Sequence, residues 1–250
     1  NRGVKRRYTY ALVCILACMI ADIARAFTPG PDIIQGCPLC KAPFAMPSMN
    51  SGNTYGGQRW TDGKIDLPMW LETPMLVKCP GCHGLIRTKD VEKVGERQWG
   101  DDASKWRDTR WAERLAEEDY LQIIAAEKPS RQEERYLRHH AWWAANDSFR
   151  TNNEKVCSFS PGQEANLLVL ANNARMDSPE ERLLKAEIFR ELKRFDDCLA
   201  LLSAPFDYSE YSDDVLIIKG LAIMKISTVR RINPPSPSTS IYGTRSVYSK

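Results

Sequence analysis

The sequence lacks a strong excess of charge of one sign. Its 250 residues have a formal net charge of +3, with five basic residues against one acid in residues 1–26 and five more without an acid from Lys225 onward. The body between these ends is therefore acidic overall. Binding to nucleic acid regardless of sequence draws on clustered Lys and Arg that neutralise phosphates, so a nucleic-acid partner is disfavoured. A content of 43% hydrophobic and 27% charged residues predicts a folded chain.

A long hydrophobic run is also missing, since the apolar run from Tyr8 to Ala21 is shorter than the roughly 20 residues of a membrane-spanning helix. This run follows a basic start and precedes Ala24-Arg25-Ala26, a pattern typical of a signal-peptidase site. We expect residues 1–26 to be a signal peptide or a membrane anchor, with membrane contact through residues 4–26. Export would favour disulfides, whereas thiolate zinc sites are typical of the cytoplasm, so the location stays open.

No set of catalytic residues can be recognised. Histidine occurs three times, and His139 and His140 lie beside Trp142 and Trp143, where packing is the expected role. Cys157 is isolated, and no phosphate loop with a Lys-Ser or Lys-Thr ending is present. We assign no catalytic residue, and the sequence favours a protein that is not an enzyme.

Two matched Cys-Pro-x-Cys turns are the most specific feature of the sequence. They contain Cys37, Cys40, Cys79 and Cys82, and 38 residues separate them. In such a turn both sulfurs can point at one ion, and a second turn completes the tetrahedral shell that zinc prefers. The sequence predicts one structural Zn²⁺ with these four ligands, in a zinc ribbon over residues 33–94. Four thiolates would leave the ion without an open position, and His83 is expected to be a bystander.

A redox role is the alternative interpretation of the same turns. Cys-Pro-x-Cys resembles the active turn of some disulfide oxidoreductases, and an exported protein would suit that chemistry. Such enzymes place the turn between a strand and a long helix. Neither turn here is followed by a clear amphipathic helix, which favours zinc.

The insert between the turns is rich in glycine and contains three candidate contact residues. Tyr55, Arg59 and Trp60 lie in the segment from Ser51 to Gly63 and could form a recognition surface for a partner. A structured loop that covers the ribbon is the competing interpretation and the favoured one.

The second half of the chain has helical periodicity and helix start signals. We predict a first helix from about Trp106 to Lys128, a second from Ser130 towards Asn146, and two more that open at Ser160 and Ser178. Serine caps, followed by Glu or Gln three residues later or by proline in the first turn, support the last three. A further helix is predicted from Tyr211 to Met224. The Ser, Thr and Pro content of residues 227–250 predicts a disordered tail.

Between the fourth helix and the last, small and aromatic residues follow the spacing of a tetratricopeptide repeat. They are Ala186, Phe189, Phe195 and Cys198, and Lys193 stands where that repeat usually has glycine. About one and a half repeats can be found, fewer than the three or so that a solenoid needs. We therefore predict a helical-hairpin domain over residues 106–224.

These features together resemble a group of uncharacterised bacterial proteins that join a zinc ribbon to tetratricopeptide-like helices. The similarity covers about Gly36 to Leu202 and rests on the two cysteine turns, Ser51-Gly52-Asn53-Thr54-Tyr55-Gly56, Trp60-Thr61-Asp62-Gly63 and Thr73-Pro74. It implies an α+β fold, with a small β-rich zinc ribbon before an all-α domain, and it supports zinc. It implies no activity. The expected function is a protein-interaction or scaffold module with a protein or peptide partner.

Overall fold

Strands precede helices along the chain. The computed structural model describes residues 27–151 and 154–232, so the predicted leader at residues 1–26 and the predicted tail beyond residue 232 lie outside the described residues. Ten short strands and six α-helices occur in the described ranges, and nine of the strands precede the first of these helices. This arrangement confirms the predicted α+β class. None of the helices in these ranges is long and apolar enough to cross a membrane.

The chain forms two compact units. One, here called the β unit, contains the described residues up to Gly57 together with Leu67–Leu115. The other, here called the helical unit, contains Gln58–Asp66 together with the residues from Ala116 onward. The segment Gln58–Asp66 lies between the two cysteine turns in sequence, yet it packs within the helical unit.

The β unit consists of three small antiparallel sheets. Strands β1 (Thr28–Pro29) and β4 (Met49–Ser51) form one pair. The second sheet has the order β3-β2-β9, and the third pairs β7 with β8. Their bounds are Asp32–Gly36 for β2, Pro43–Met46 for β3, Leu76–Lys78 for β7, Leu85–Arg87 for β8 and Glu92–Arg97 for β9. A 3-10 turn at Thr88–Asp90 precedes β9.

An extended segment joins two of these sheets. The Ala45 N–H donates to the carbonyl of Arg110, and Lys78 and Glu113 exchange two backbone hydrogen bonds at 2.9 Å. The first helix was predicted from about Trp106, and this start is wrong, because the helix begins at Glu117. The backbone of residues 110–113 is used for sheet pairing, and this long-range pairing outweighs the local helical periodicity around Trp111.

The described residues of the helical unit form six helices, each of which packs against the next along the chain. They are α1 (Glu117–Glu127), α2 (Arg131–Arg150), α3 (Pro161–Asn173), α4 (Pro179–Glu191), α5 (Phe195–Ser203) and α6 (Ser212–Ile223). The side-chain hydroxyls of Ser130, Ser160 and Ser178 cap α2, α3 and α4, as predicted. Each accepts a hydrogen bond from the backbone N–H three residues later, which satisfies a donor that the helix itself leaves free.

A small sheet completes the helical unit. Strands β5 (Gln58–Trp60) and β6 (Ile65–Asp66) form a hairpin, and β10 (Arg231–Ile232) pairs with β5. The turn between β5 and β6 is Thr61-Asp62-Gly63-Lys64, in which Gly63 has a φ of 80°. This positive φ suits glycine, since a Cβ atom is strained in that conformation.

Helices α4 and α5 form the hairpin that the repeat-like spacing predicted as helical. Buried Ala186 and Cys198 lie in one apolar cluster, with Phe189 and Phe195 packed against it. Lys193 lies in the turn with a φ of 62°, and the Arg194 N–H donates to the carbonyl of Phe189 at 2.8 Å. This is the left-handed cap that ends many helices, and it normally contains glycine.

We expect Lys193→Gly to stabilise the helical unit. A side chain in the left-handed region costs conformational energy that glycine avoids, so the free energy of unfolding should rise by about 0.5 to 1 kcal/mol. Urea unfolding followed by circular dichroism at 222 nm measures the change. Lys193→Ala is the matched control, since it removes the same charge but keeps a Cβ atom. An equal gain for both variants would contradict the conformational explanation.

Candidate metal centre

The four cysteines of the predicted site lie at the tips of two β-hairpins. Cys37 follows β2 and Cys40 precedes β3, while Cys79 follows β7 and Cys82 precedes β8. In each turn the first cysteine is buried and the second is exposed. The two hairpins bring together four side chains that are up to 45 residues apart in sequence.

The two turns have the same backbone geometry. In each, the N–H of the first cysteine donates to the carbonyl five residues later, and the N–H four residues later donates back to the carbonyl of the first cysteine. The hydrogen bonds are 2.8 to 3.0 Å long and join Cys37 with Ala42 and Lys41, and Cys79 with Gly84 and His83. Lys41 and His83 occupy equivalent left-handed positions, with φ of 65° and 56°.

The spacing of the sulfur atoms suits a single tetrahedral ion. The Sγ atoms of Cys37 and Cys82 are 3.9 Å apart, and those of Cys40 and Cys79 are 3.7 Å apart. All four sulfurs lie within 4.8 Å of one another. Zinc–sulfur bonds of about 2.3 Å in a tetrahedron place sulfurs roughly 3.8 Å apart. The donor set therefore fits one metal ion held by four cysteines.

Backbone N–H groups point at the sulfurs that lie deepest in each turn. The Cys40 N–H donates to Cys37 Sγ at 3.5 Å, and the Gly81 N–H donates to Cys79 Sγ at 3.3 Å. Burial opposes ionisation of Cys37, but the N–H groups of Cys40 and Leu39 outweigh it and lower the pKa of this thiol to about 7. Burial raises the pKa of Cys79. The turns thus supply partial stabilisation for the negative charge that metal-bound thiolates carry.

Glycine permits the second turn to lie directly against the first. A Cβ atom on Gly84 would collide with the side chain of Leu39, which belongs to the other turn. A Cβ atom on Gly81 would lie 3.6 Å from Cys40 Sγ and 3.2 Å from the Ala42 side chain. The two turns are thus in van der Waals contact at these glycines, and a larger residue at position 84 would displace the exposed side chain of Leu39.

His83 lies next to the cluster and is directed elsewhere. Its Nδ1 atom is 3.2 Å from a carboxylate oxygen of Glu113, and both side chains are exposed. The groups of His, Cys, Asp and Glu that could hold a metal ion in residues 27–151 and 154–232 include only the four-cysteine cluster.

The three residues of the predicted recognition loop have different environments. Tyr55 belongs to the β unit and is 79% exposed. Arg59 and Trp60 belong to the helical unit, where Arg59 is paired with the carboxylate of buried Asp214 at 2.9 Å. Trp60 is 6% exposed and lies beneath the guanidinium groups of Arg150 and Arg231. In this structure Trp60 is a packing residue, and Tyr55 is the one of the three with an open ring.

A buried network of charged groups holds the β5–β6 turn in the helical unit. Asp62 has no exposed surface, and its carboxylate accepts hydrogen bonds from Arg150 of α2 and from Asn146 at 3.0 Å. Asn146 also donates to Glu191 of α4, which accepts a bond of 2.6 Å from the Trp142 indole. Burial, together with the neighbouring carboxylates of Glu187 and Asp62, raises the pKa of Glu191 well above its usual value.

A second ion pair lies beside this network. The Arg190 guanidinium pairs with Glu187, and both side chains are fully buried. It also donates to the carbonyl of Thr228 at 3.1 Å, ahead of β10, and to the Thr61 hydroxyl. Sequence reasoning did not assign Glu187, Arg190 or Glu191. Their spacing of three and four residues places them on one face of the helix, next to buried Ala186. This spacing is the sequence feature that could have indicated their burial.

The two histidines of α2 lie against aromatic rings. His140 is half-buried, donates from Nδ1 to the Tyr136 carbonyl at 3.0 Å, and lies 4.8 Å from the Trp143 ring by centroids. His139 is buried, 6.3 Å from the rings of both Trp142 and Trp143. Burial, reinforced by the nearby Arg135 cation, lowers the pKa of His139 to about 3.

We expect the helical unit to lose stability in mild acid because of His139. Its pKa is lowered from 6.5 to about 3 in the folded protein, so only the unfolded chain binds the proton between these values. The stability that neutral His139 contributes is therefore fully present above pH 6.5. It decreases as the pH falls below 6.5, and about 2 kcal/mol is lost at pH 5. Urea unfolding at pH 7.5 and 5.0 measures the difference, which His139→Gln should reduce by that amount. The exposed His83→Gln is the control, and equal pH dependence in all three proteins would contradict the assignment.

An apolar cleft of about 410 Å³ opens on the β unit. Exposed aromatic side chains and prolines dominate its walls: Phe27, Pro29, Pro47, Leu71, Trp99 and Trp111. Trp99 is 80% exposed. Asp32 also lines the cleft, and its carboxylate is paired with Arg97 at 2.8 Å, so the cleft presents little net charge.

Comparison with known proteins returned no family model, no curated protein and no solved structure that matches this chain. The site is therefore defined by its own geometry, which is that of four cysteines gathered within metal-binding distance.

Proposed function

We propose that this protein is a non-catalytic interaction module whose β unit is a zinc ribbon held by one structural Zn²⁺. The observation that carries the proposal is the arrangement of Cys37, Cys40, Cys79 and Cys82 around one point, with sulfur separations of 3.7 and 3.9 Å across the two turns. When bound, the ion supplies a crosslink between the two hairpins. Four thiolates fill its shell and leave no position for a substrate or a water nucleophile.

The small size of the β unit supports a structural role for the metal. Its strands are two to six residues long, and its main buried cluster contains Cys37 and Cys79 themselves beside Phe44, Val77 and Ile86. A core of this size supplies little stability, and small domains of this kind commonly depend on a metal or on disulfides.

A thiol-disulfide oxidoreductase is the competing function, and two features weigh against it. Each Cys-Pro-x-Cys turn joins two strands, whereas the redox motif lies between a strand and a helix that stabilises the reactive thiolate. Moreover, each turn directs its sulfurs towards the other turn. A redox enzyme needs one accessible thiolate, not four sulfurs around a common centre.

The apolar cleft of the β unit is the surface that we assign to a protein or peptide partner. Tryptophan is enriched among the residues that contribute most of the binding energy at the centres of protein interfaces. Trp99 and Trp111 offer aromatic faces, and Pro29 and Pro47 form a rigid, uncharged wall. A partner with apolar side chains on an extended segment suits this lining. The helices of the second unit, which resemble tetratricopeptide hairpins, would serve the same scaffold.

Metal content tests the first half of the proposal. Elemental mass spectrometry of protein purified without added metal should find about one zinc per chain, with four thiols that react only after chelation. A parallel assay of insulin-disulfide reduction should show no catalysis. Absence of zinc together with oxidised turn cysteines, or reductase activity in the untreated protein, would reject the zinc-ribbon function in favour of the redox one.

The interaction half is tested with a pair of tryptophan variants. Trp99→Ala removes the most exposed side chain of the cleft, and Trp70→Ala is the matched control, since Trp70 is also exposed but does not line the cleft. Quantitative affinity capture should recover at least one protein whose yield falls about tenfold or more with Trp99→Ala alone. If no captured protein distinguishes the two variants, the cleft is not the contact surface.

A further inference from the structure

The buried network of the helical unit contains more acids than bases. Its charged side chains that are at most 6% exposed are Asp62, Arg150, Glu187, Arg190 and Glu191. If all three acids were ionised, the two guanidinium groups would leave one negative charge away from water. Burying an unpaired charge is costly, and a buried group commonly becomes neutral instead.

The acid without a cationic partner is Glu191. The other four side chains form two ion pairs, Asp62 with Arg150 and Glu187 with Arg190. Glu191 accepts hydrogen bonds from the Trp142 indole at 2.6 Å and from the Asn146 amide at 3.1 Å, and both donors are neutral. Within residues 27–151 and 154–232, no Lys, Arg or His side chain donates to its carboxyl group.

The position of Glu191 also disfavours a negative charge. It is the last residue of α4, where the helix dipole has its negative end. Glu187 lies one turn earlier on the same face, and like charges four residues apart destabilise a helix. Asp62 shares the Asn146 amide with Glu191, since Nδ2 lies 3.0 Å from the first carboxyl group and 3.1 Å from the second. Burial and these two carboxylates raise the pKa of Glu191, and the Arg190 cation offsets part of the effect.

The network is short of hydrogen-bond donors. Asn146 Oδ1 is buried and accepts no hydrogen bond from the part of the chain that the structure describes. Burial raises the pKa of Cys157, in the segment before α3, and this thiol already donates to a backbone carbonyl at 3.0 Å. Lys64 of the β5–β6 turn is paired with half-exposed Asp147 at 2.6 Å. A proton on Glu191 would therefore add a donor among groups that are mostly acceptors.

We propose that Glu191 is a protonated carboxyl group at neutral pH, and that this proton holds the β5–β6 turn against α2 and α4. With the proton in place, the Asn146 amide binds Asp62 and Glu191 together without repulsion between like charges. Loss of the proton in alkaline solution places two negative charges on one amide group, which weakens the attachment of the turn. The two carboxyl groups and the amide are thus a pH-sensitive latch within the helical unit.

Urea unfolding of the full chain and of Glu191→Gln at several pH values tests for the proton. The folded protein keeps a proton that the unfolded chain releases above about pH 4.3, so this contribution to stability is lost as the pH rises. The wild-type unfolding constant should rise relative to that of Glu191→Gln by about 100-fold from pH 5 to pH 7. The contribution of His139 is the same in both proteins and cancels. Parallel pH dependence in the two proteins would overturn the proposal.

Glu187→Gln is the matched control, because it alters a carboxyl group of the same helix face that is paired with a cation. Glutamine resembles a neutral carboxyl group in size and needs no proton, so the unfolding constant of Glu191→Gln at pH 7 should not exceed that of the wild type. Glu187→Gln leaves buried Arg190 without its partner and should raise the constant about 100-fold or more. A Glu191→Gln protein that fails to fold, or that is destabilised as much as Glu187→Gln, would contradict a neutral Glu191.

Infrared difference spectra in D2O detect the proton directly. The wild type minus Glu191→Gln should show the C=O band of a carboxylic acid at neutral pH, and all other carboxyl groups, including buried Glu117, cancel in the difference. The band should be absent by about pH 10, where even strongly shifted buried glutamates are ionised. At that pH, amide exchange in Gln58–Asp66 should be about tenfold faster in the wild type than in Glu191→Gln. A missing band at neutral pH would overturn the protonated carboxyl group, and equal exchange would overturn the latch.

Discussion

Cys79→Ser will abolish zinc binding and unfold the β unit while the helices persist. Cys79 is fully buried at the centre of both the proposed site and the cluster with Phe44, Val77 and Ile86. A hydroxyl is a poor ligand for zinc, and three thiolates without a fourth lose much of the binding free energy, which is about 10 to 16 kcal/mol in zinc-finger peptides. This is far more than so small a core can replace.

Three measurements follow this loss in the full-length chain. Zinc per chain should fall from about one to near zero. Amide hydrogen exchange should become fast in β2, β3, β7 and β8 and stay slow in the interiors of α2 and α4. Circular dichroism at 222 nm should keep most of its amplitude.

His83→Ala is the matched control for this substitution. His83 adjoins the same turn, but its exposed contact is with Glu113 rather than with the cluster. This variant should keep its zinc and lose less than about 1 kcal/mol, because the only contact it removes is an exposed hydrogen bond. A Cys79→Ser protein that retains one zinc and slow exchange in the β unit would refute the four-cysteine site.

Asp62→Asn will have the second largest effect, with a loss of about 3 kcal/mol from the helical unit. Asp62 is fully buried, and the side chain of Arg150, its partner, is 6% exposed. Removing one member of a buried pair leaves an uncompensated charge, which costs about 3 to 5 kcal/mol. Asp147 lies 2.9 Å from Arg150 Nε and supplies partial compensation, so the lower end of this range is expected.

Urea unfolding at 222 nm gives the difference, with Asp147→Asn as control. Asp147 contacts the same arginine, but its side chain is 50% exposed, so its removal should cost less than about 1 kcal/mol. The double variant Asp62→Asn, Arg150→Met removes both charges and should recover at least half of the loss. If Asp62→Asn and Asp147→Asn have equal effects, the buried pair does not anchor the β5–β6 turn.

The fold class, three of the helix starts and the two cysteine turns could be predicted because their signals are local. The serine caps at residues 130, 160 and 178 each involve a neighbour three residues away, and each was found where predicted. The glycine position of the repeat-like hairpin was also identified at Lys193, which the structure places in the left-handed region. Such features depend on chain geometry within one turn.

Other features could not be predicted, because their partners are distant in sequence. Residues 110–113 have apolar spacing typical of a helix, yet they pair with Ala45 and Lys78 of two different sheets. Trp60, Thr61 and Asp62 lie between the cysteine turns in sequence. The Trp60 ring lies beneath Arg231 of β10, the Thr61 hydroxyl accepts from Arg190 of α4, and the Asp62 carboxylate accepts from Asn146 of α2. No property of the segment from Gln58 to Asp66 alone identifies those partners.

The sequence by itself determined the elements and the chemistry of the site: four thiols in two matched turns, and helices with their caps. The tertiary structure decided which elements share a unit, which charges are buried, and which side chains of the described helices are exposed. The physical reason is the distance along the chain over which each kind of interaction acts. Dihedral preferences and capping act over three or four residues, whereas burial and ion pairing depend on where the whole chain places each group.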